Sequence, residues 1–444
     1  MERLVIANGT VVTMGTDPRV LSGHDVVCEG GRVLRIAPHG KVSAEGCRAL
    51  DATGKVVLPG LINAHTHFYS SLVRGLGKAA PSANFREVLE HLWWRLDRQL
   101  TLEDCRVSAE VALIEAIRHG CTTMVDHHAS PGAVRGSLDV LAGAVRRAGV
   151  RACLCYEVSD RDGPEVANDG IEENYSAYTK WSHFDETGRI RNMFGLHAGF
   201  TLSDATLERA AEMGRVLGLG FHVHVAEAAS DEEHSVREHG MRVVERLNRF
   251  GVLGRRTIAA HCVHVDAREI ALLAETGTAV VHNPQSNMNN AVGVANVPAM
   301  LAADVLVGLG TDAMTTDMLE EMRAALFVRH LAAANPSAGF LQTVLLLTHG
   351  NRAIADRLWP GLALGDLREG GAADVAVFDY DPPTPLDEST VLGHLVFGLS
   401  QARVDSTVAG GRVLMERGVL EIDLDEREVM ARARERAKAL WERF

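Results

Sequence analysis

Val56-Val57-Leu58-Pro59-Gly60-Leu61-Ile62-Asn63-Ala64-His65-Thr66-His67 is an apolar run that turns polar at its C-terminal end. A strand that is apolar along its whole length is buried on both faces, as in a parallel sheet covered by helices. The chain repeats this texture. After a first strand at Val56–Asn63, runs at Thr122–Asp126, Arg151–Glu157, Asn192–His197, Gly220–Ala226, Thr257–His261, Thr278–His282 and Val305–Gly310 read as strands. Longer Ala/Leu/Arg/Glu-rich helical stretches separate most of them. Eight such units over residues 58–365 predict an α/β fold, a (β/α)8 TIM-like barrel.

Outside that span the texture changes. Residues 1–57 read as short strands, with Glu29-Gly30-Gly31 as a hairpin signal between Val26-Val27-Cys28 and Val33-Leu34. Residues 366–422 match them, with Gly410-Gly411 between two β-rich runs. Each end is too small to stand alone, so the two are expected to pair into one small β-sandwich domain. Residues 423–444 carry apolar positions at helical spacing and are expected to form a C-terminal amphipathic helix.

Composition bounds the function. The chain has 444 residues, 46 % of them hydrophobic, and a net charge of −13. That is a globular protein with ample core. Its acidity argues against nucleic acid and membrane surfaces, which select basic patches. No apolar run approaches the ~18 residues of a membrane span. The stretch before Asn8-Gly9 is too short for a signal-peptide core. Seven scattered cysteines without a CxxC pair point to a reducing cytoplasm.

The 20 histidines are the informative feature. In such a barrel the active site lies at the C-terminal ends of the strands. There the sequence places His65 and His67, His222 and His224 with Glu227, His261 and His264, and Asp312. Residues two apart on a strand share a face, so His65 and His67 can ligate one metal. Each feature alone has a bland reading: a packed histidine, or an aspartate that caps the next helix. Their coincidence at one end of one barrel favours a shared metal site.

Leu58-Pro59-Gly60-Leu61-Ile62-Asn63-Ala64-His65-Thr66-His67 resembles the first-strand signature of the amidohydrolase superfamily. So do His222-Val223-His224-Val225-Ala226-Glu227, His261-Cys262-Val263-His264, His282-Asn283-Pro284-Gln285-Ser286-Asn287 and Gly310-Thr311-Asp312. Order and spacing resemble the aminohydrolase branch of guanine, S-adenosylhomocysteine and triazine aminohydrolases. Trp93-Trp94-Arg95-Leu96-Asp97 and Asn287-Met288-Asn289-Asn290-Ala291-Val292-Gly293 look most like its SsnA-type members.

The resemblance implies that His65, His67, His224 and Asp312 ligate one divalent metal ion, zinc first, with iron and manganese accepting similar ligands. It implies that His261 lies beside the metal-bound water and that Glu227 shuttles protons. His197 matches a substrate-contacting histidine, while His222 reads as a core neighbour. Binuclear members use a carboxylated lysine. None of Lys41, Lys55, Lys78, Lys180 and Lys438 ends a middle barrel strand, which favours one metal.

The implied chemistry is attack of a metal-bound hydroxide on a ring carbon, with Asp312 orienting the water, His261 polarising the tetrahedral centre and Glu227 protonating a ring nitrogen. Deamination of a purine-, pterin- or triazine-like heterocycle releases ammonia. Ring opening of a cyclic amide and dehalogenation remain open on the same site, as does a non-catalytic metal-binding protein. Tyr69, Trp93 and Asn287 are candidate substrate contacts, with Phe68, Trp94, Arg74, Gln99, His127 and His128 as further pocket candidates. His282 reads as a supporting residue. His24, His39, His183, His239, His330 and His394 read as surface or packing residues. The family resemblance also implies a homodimer, acting on a small heterocyclic substrate.

Overall fold

The structure is a computed structural model that describes residues 3–15, 18–43, 45–184 and 188–444, with backbone only at 182–184. The His183 side chain therefore lies outside the described residues. The barrel strands, in order, are Leu61–Thr66, Cys121–Asp126, Arg151–Leu154, a fourth in two pieces (Ile190–Asn192 and Phe194–Ala198), Phe221–Val225, Ile258–His261, Ala279–His282 and Val307–Leu309. Their side chains are almost all buried, because helices cover one face and the barrel interior the other.

Two seams close the ring. The amides of Thr311 and Asp312 donate to the His65 carbonyl at 2.9 and 3.0 Å, joining the eighth strand to the first. The fourth strand breaks at Met193: its first piece pairs with Arg151–Leu154 and its second with Phe221–Val225. Val158 bridges the gap, donating to Gly195 O at 3.2 Å and accepting from His197 N at 3.0 Å.

The first strand differs from the expectation. Val56–Pro59 belongs to the terminal sheet, and the barrel strand starts at Leu61. The expected boundary at 57/58 thus falls inside a strand. Gly60 makes the crossing: a Cβ there would lie 2.2 Å from Thr122 Oγ1, so only glycine fits this approach.

Val56–Pro59 stitches the two chain ends together. It pairs parallel with Leu4–Val12 and antiparallel with Val375–Asp379, in the middle of a nine-stranded sheet. Ile6, Val26, Val33 and Leu50 from the N-terminal half pack with Val375, Val377, Val408 and Val413 from the C-terminal half. One apolar cluster enclosed by both halves is a sheet folded over itself as a sandwich.

The helix Glu426–Arg443 buries Val429 and Leu440 against the barrel. Arg436 and Arg443 reach Asp104 at 2.8 and 2.6 Å. Asp104 also forms a reciprocal cap with Thr101 at the start of the helix Leu102–Arg118. Trp441 Nε1 donates to Leu72 O at 2.9 Å, so the C-terminal helix clamps the segment that follows the first barrel strand. No helix among the described residues is long and apolar enough to cross a membrane.

Candidate active site

At the C-terminal rim of the barrel, four histidines face one point with the same edge. His67 Nδ1 donates to His127 O at 2.5 Å and His224 Nδ1 to His197 O at 2.9 Å. A carbonyl can only accept, so both rings carry a proton on Nδ1 and turn Nε2 inward, where His224 keeps a lone pair and His67 shares a proton with Asp312. His261 Nδ1 pairs with Asn287 Oδ1 at 2.9 Å and His65 Nδ1 with His222 Nε2 at 2.8 Å, which suits the same tautomer. His67 Nε2 and His224 Nε2 face each other at 3.3 Å, and His65 Nε2 and His261 Nε2 are buried without a hydrogen-bond partner.

Asp312 completes the cluster. Its Oδ1 lies 3.0 Å from His67 Nε2 and 4.0 Å from His65 Nε2, and its Oδ2 lies 3.6 Å from His261 Nε2. Donor atoms of His65, His67 and His224, and of His65, His261 and Asp312, fall within 4.8 Å of one another. Lone pairs facing lone pairs in a buried site repel unless a cation sits between them. The donor set and the orphaned Nε2 atoms fit one divalent metal, and outward bonds that fix the ring tautomer are what metal-ligating histidines need.

The electrostatics agree. Burial, then neighbouring histidines, hold His65 and His224 well below the usual imidazole range, so both rings are neutral, as a metal-binding imidazole must be. Burial also lowers His67, but Asp312 more than reverses it and lifts the ring to about 9. Positive charge is wanted at this point. Burial would raise Asp312, yet His67, His261 and Ser286 together hold it below the usual carboxylate range. Burial, then Asp312 and Asp231, drive Glu227 the other way, well above its usual value. One site thus holds an ionised carboxylate and, beside it, a carboxylic acid that keeps its proton.

Backbone strain marks the same rim. Ala226, His261, Cys262 and Asp312 all have positive φ, at 45°, 73°, 50° and 53°. Each such residue costs on the order of 1–3 kcal/mol and persists where surrounding structure enforces it. For His261 and Asp312 the bracing element is the short helix Pro284–Asn289 that follows the seventh strand. From it Ser286 Oγ donates to Asp312 Oδ2 at 2.6 Å and Asn287 holds His261. Just beyond, Asn290 Nδ2 donates to Glu227 Oε1 at 3.2 Å.

Above the cluster is a pocket with an aromatic wall of Tyr69, Phe85, Trp93, Trp94 and Phe200, and His197 at its side. Its polar wall is Asp97, Glu157, Arg161 and Asp231. Arg161 pairs with Asp97 and lies 3.5 Å from Glu157, with all three buried.

A family model for the amidohydrolase family matches residues 56–414. The chain belongs to the amidohydrolase family. It is 32 % identical over 447 residues to a 5-methylthioadenosine/S-adenosylhomocysteine deaminase of Pelotomaculum thermopropionicum, covering 99 % of each chain. It is 33 % identical over 444 residues to a 5'-deoxyadenosine deaminase of Methanosarcina mazei, again covering 99 % of each. Among solved structures it resembles an adenosine deaminase of Xanthomonas campestris with bound zinc. That match has a TM-score of 0.85 and 26 % identity, and covers 98 % of each chain. These structures share the barrel and the separate β-sandwich.

In this amidohydrolase, His65, His67, His224, His261, Asp312 and Glu227 meet at one point, and His197, Tyr69 and Trp93 line the pocket above it. Asn287 is 2 % exposed and faces His261 rather than the pocket. His127 donates from Nε2 to the carbonyls of Leu196 and His222 at 3.1 Å, bracing the barrel interior. Arg74 pairs with Glu115 on the surface. Sequence reasoning missed Ser286, Asn290, Asp97, Glu157 and Arg161. Glu157 ends the third strand as the sequence reads it, so the rule that found the histidines reaches it too, whereas Arg161 lies in the loop beyond the strand's end at Leu154.

Proposed function

We propose that this amidohydrolase removes an amino group from a flat nitrogen heterocycle, releasing ammonia and leaving a ring carbonyl. The observation that carries the reading is the convergence of four Nε2 atoms and Asp312 beside a carboxylic acid, Glu227, at the floor of an aromatic pocket. His65, His67, His224 and Asp312 would hold one zinc ion, which when bound lowers the pKa of water and polarises the bond under attack. Asp312, ionised and steadied by Ser286, accepts a proton from the attacking water. Glu227 donates its proton to the ring nitrogen, since burial keeps it protonated, and afterwards passes a proton to the leaving amine. His261, neutral and held by Asn287 through Nδ1, turns its Nε2 lone pair to the attacking water and accepts a hydrogen bond from it, rather than polarising an oxyanion. The heterocycle lies against Tyr69 and Trp93, with His197 at its edge.

The relatives named above support adenine-bearing nucleosides as the first compounds to try. Seven unpaired cysteines, six of them buried, suit a cytoplasmic enzyme. The homodimer is tested by sedimentation of the metal-loaded protein. The decisive experiment is ammonia release from a panel of nucleosides, purines, pterins and triazines. Glu227→Gln is expected to keep its metal and lose activity about 100- to 10,000-fold. Full metal occupancy with no hydrolysis across the panel would instead identify a metal-binding protein without catalysis. A reproducible metal content near two per chain would overturn the single-ion site.

A further inference from the structure

A second cavity, of about 410 Å³, lies between the helix Met318–Ala333, the helix Phe340–Leu345 and the segment 294–298. Val294, Val297, Val328, Ala332 and Leu346 give it an apolar lining. Two nitrogen-bearing side chains interrupt that lining. His282, the last residue of the seventh barrel strand, is 3 % exposed, and its Nδ1 has no hydrogen-bond partner. Arg329 reaches the cavity from the helix Met318–Ala333, with Nε and Nη1 out of solvent and equally unpartnered. Its guanidinium lies flat against Gly339, where a Cβ would fall 1.9 Å from Cζ. Backbone on one side therefore holds the cation in place.

A guanidinium with two of its nitrogens out of water and no carboxylate beside them carries a cost. Burial alone lowers the Arg329 pKa, and no acidic neighbour offsets it. Burial likewise pushes His282 down to about 3, so its ring is neutral and can donate one hydrogen bond. Charge and donor lining one apolar chamber match an amphiphilic anion. The volume lies in the range of roughly 300–1,000 Å³ that takes small organic ligands.

We propose that this cavity binds a small apolar carboxylate, with its carboxyl group on Arg329 and His282 and its hydrocarbon against Val297, Val328 and Leu346. The site is separate from the metal cluster, yet His282 leads directly into the helix that braces Asp312 and His261.

The test is calorimetric titration of the metal-loaded, full-length protein with octanoate, octanol and acetate. Octanoate is expected to bind and to shift the His282 ring nitrogen resonances. Octanol lacks the charge and acetate lacks the chain, so both should bind far more weakly. Arg329→Gln should weaken octanoate by about tenfold to a hundredfold, the worth of a charged hydrogen bond. Ala332 is exposed at the mouth, so Ala332→Trp should block entry while leaving the fold and the guanidinium intact. Octanol binding as tightly as octanoate would overturn the proposal. So would octanoate binding that survives both substitutions, which would place the acid at the metal cluster. Failure of octanoate to bind would overturn it as well.

Discussion

Where the terminal sheet meets the barrel, Arg151 reaches Asp374 at 3.2 Å; within the sheet Lys55 meets Asp405 at 2.7 Å and Asp25 takes hydrogen bonds from Asn8, Gly40 and His39. At the C-terminal rim of the barrel, fully buried polar atoms on His65 and His261 have no partner, and His261 and Asp312 adopt left-handed backbone. Both regions are built from buried strands. Satisfied polar groups make the first a support. Orphaned and strained ones make the second a site that stores free energy until a cation fills it.

His224→Ala breaks the contrast most severely. Metal content should fall from about one equivalent toward zero, and activity should vanish with it, because metal binding needs the full donor set. In the metal-free protein the same substitution should leave the melting temperature unchanged or raise it, since it removes one of the facing lone pairs. A clear loss of apoprotein stability would mean that the rim is built like the sheet.

Asp374→Ala is the mirror experiment. It leaves the Arg151 charge buried and unpaired, which should cost about 3–5 kcal/mol of stability by chemical denaturation. The kcat/KM of the folded fraction should not change, because the pair lies at the opposite end of the barrel from the metal cluster. Asn287→Ala falls between the two regions. It frees the His261 tautomer without touching a ligand, and should lower kcat by about tenfold to a hundredfold with the metal retained. Asn287→Asp, which keeps the acceptor, should recover part of the loss.

The histidines of the rim cluster were legible because strand period and strand order place them without knowledge of the loops. His65 and His67 share a face by periodicity, and Asp312 meets them because the eighth strand closes on the first. The terminal sheet was legible from its hairpin texture. Gly60 hid the true start of the barrel, because an apolar run does not show where a chain passes from one sheet to another. Ser286 and Asn290 escaped for a related reason: a six-residue helix carries no periodic signal, and their role rests on distances to residues 26 and 63 positions away. The cavity at Arg329 was invisible, since it forms between helices that no local pattern brings together.

Asp25 and Glu227 reduce the comparison to two carboxyl groups. Burial pushes both up. Glu227 has only the Asn290 amide to oppose that, and two carboxylates add to it, so it ends well above its usual value. Asp25 has the His39 ring and the amides of Asn8 and Gly40, which together carry it below its usual value. A carboxyl group whose pKa is lower in the folded than in the unfolded chain stabilises the fold above the unfolded pKa, about 3.9 for aspartate. That contribution is lost as pH falls through the lowered folded value. Stability measured by denaturant midpoint should therefore drop on acidification below about pH 4, and Asp25→Asn should flatten the drop by up to about one proton's linkage. The variant should also be slightly less stable at neutral pH, because Asn keeps an acceptor for one amide but not the charge. A profile that superimposes on the parent's would show that the donors around Asp25 hold the neutral acid as well as the carboxylate, and the sheet would then lose its clearest case of a buried charge fully matched by its partners.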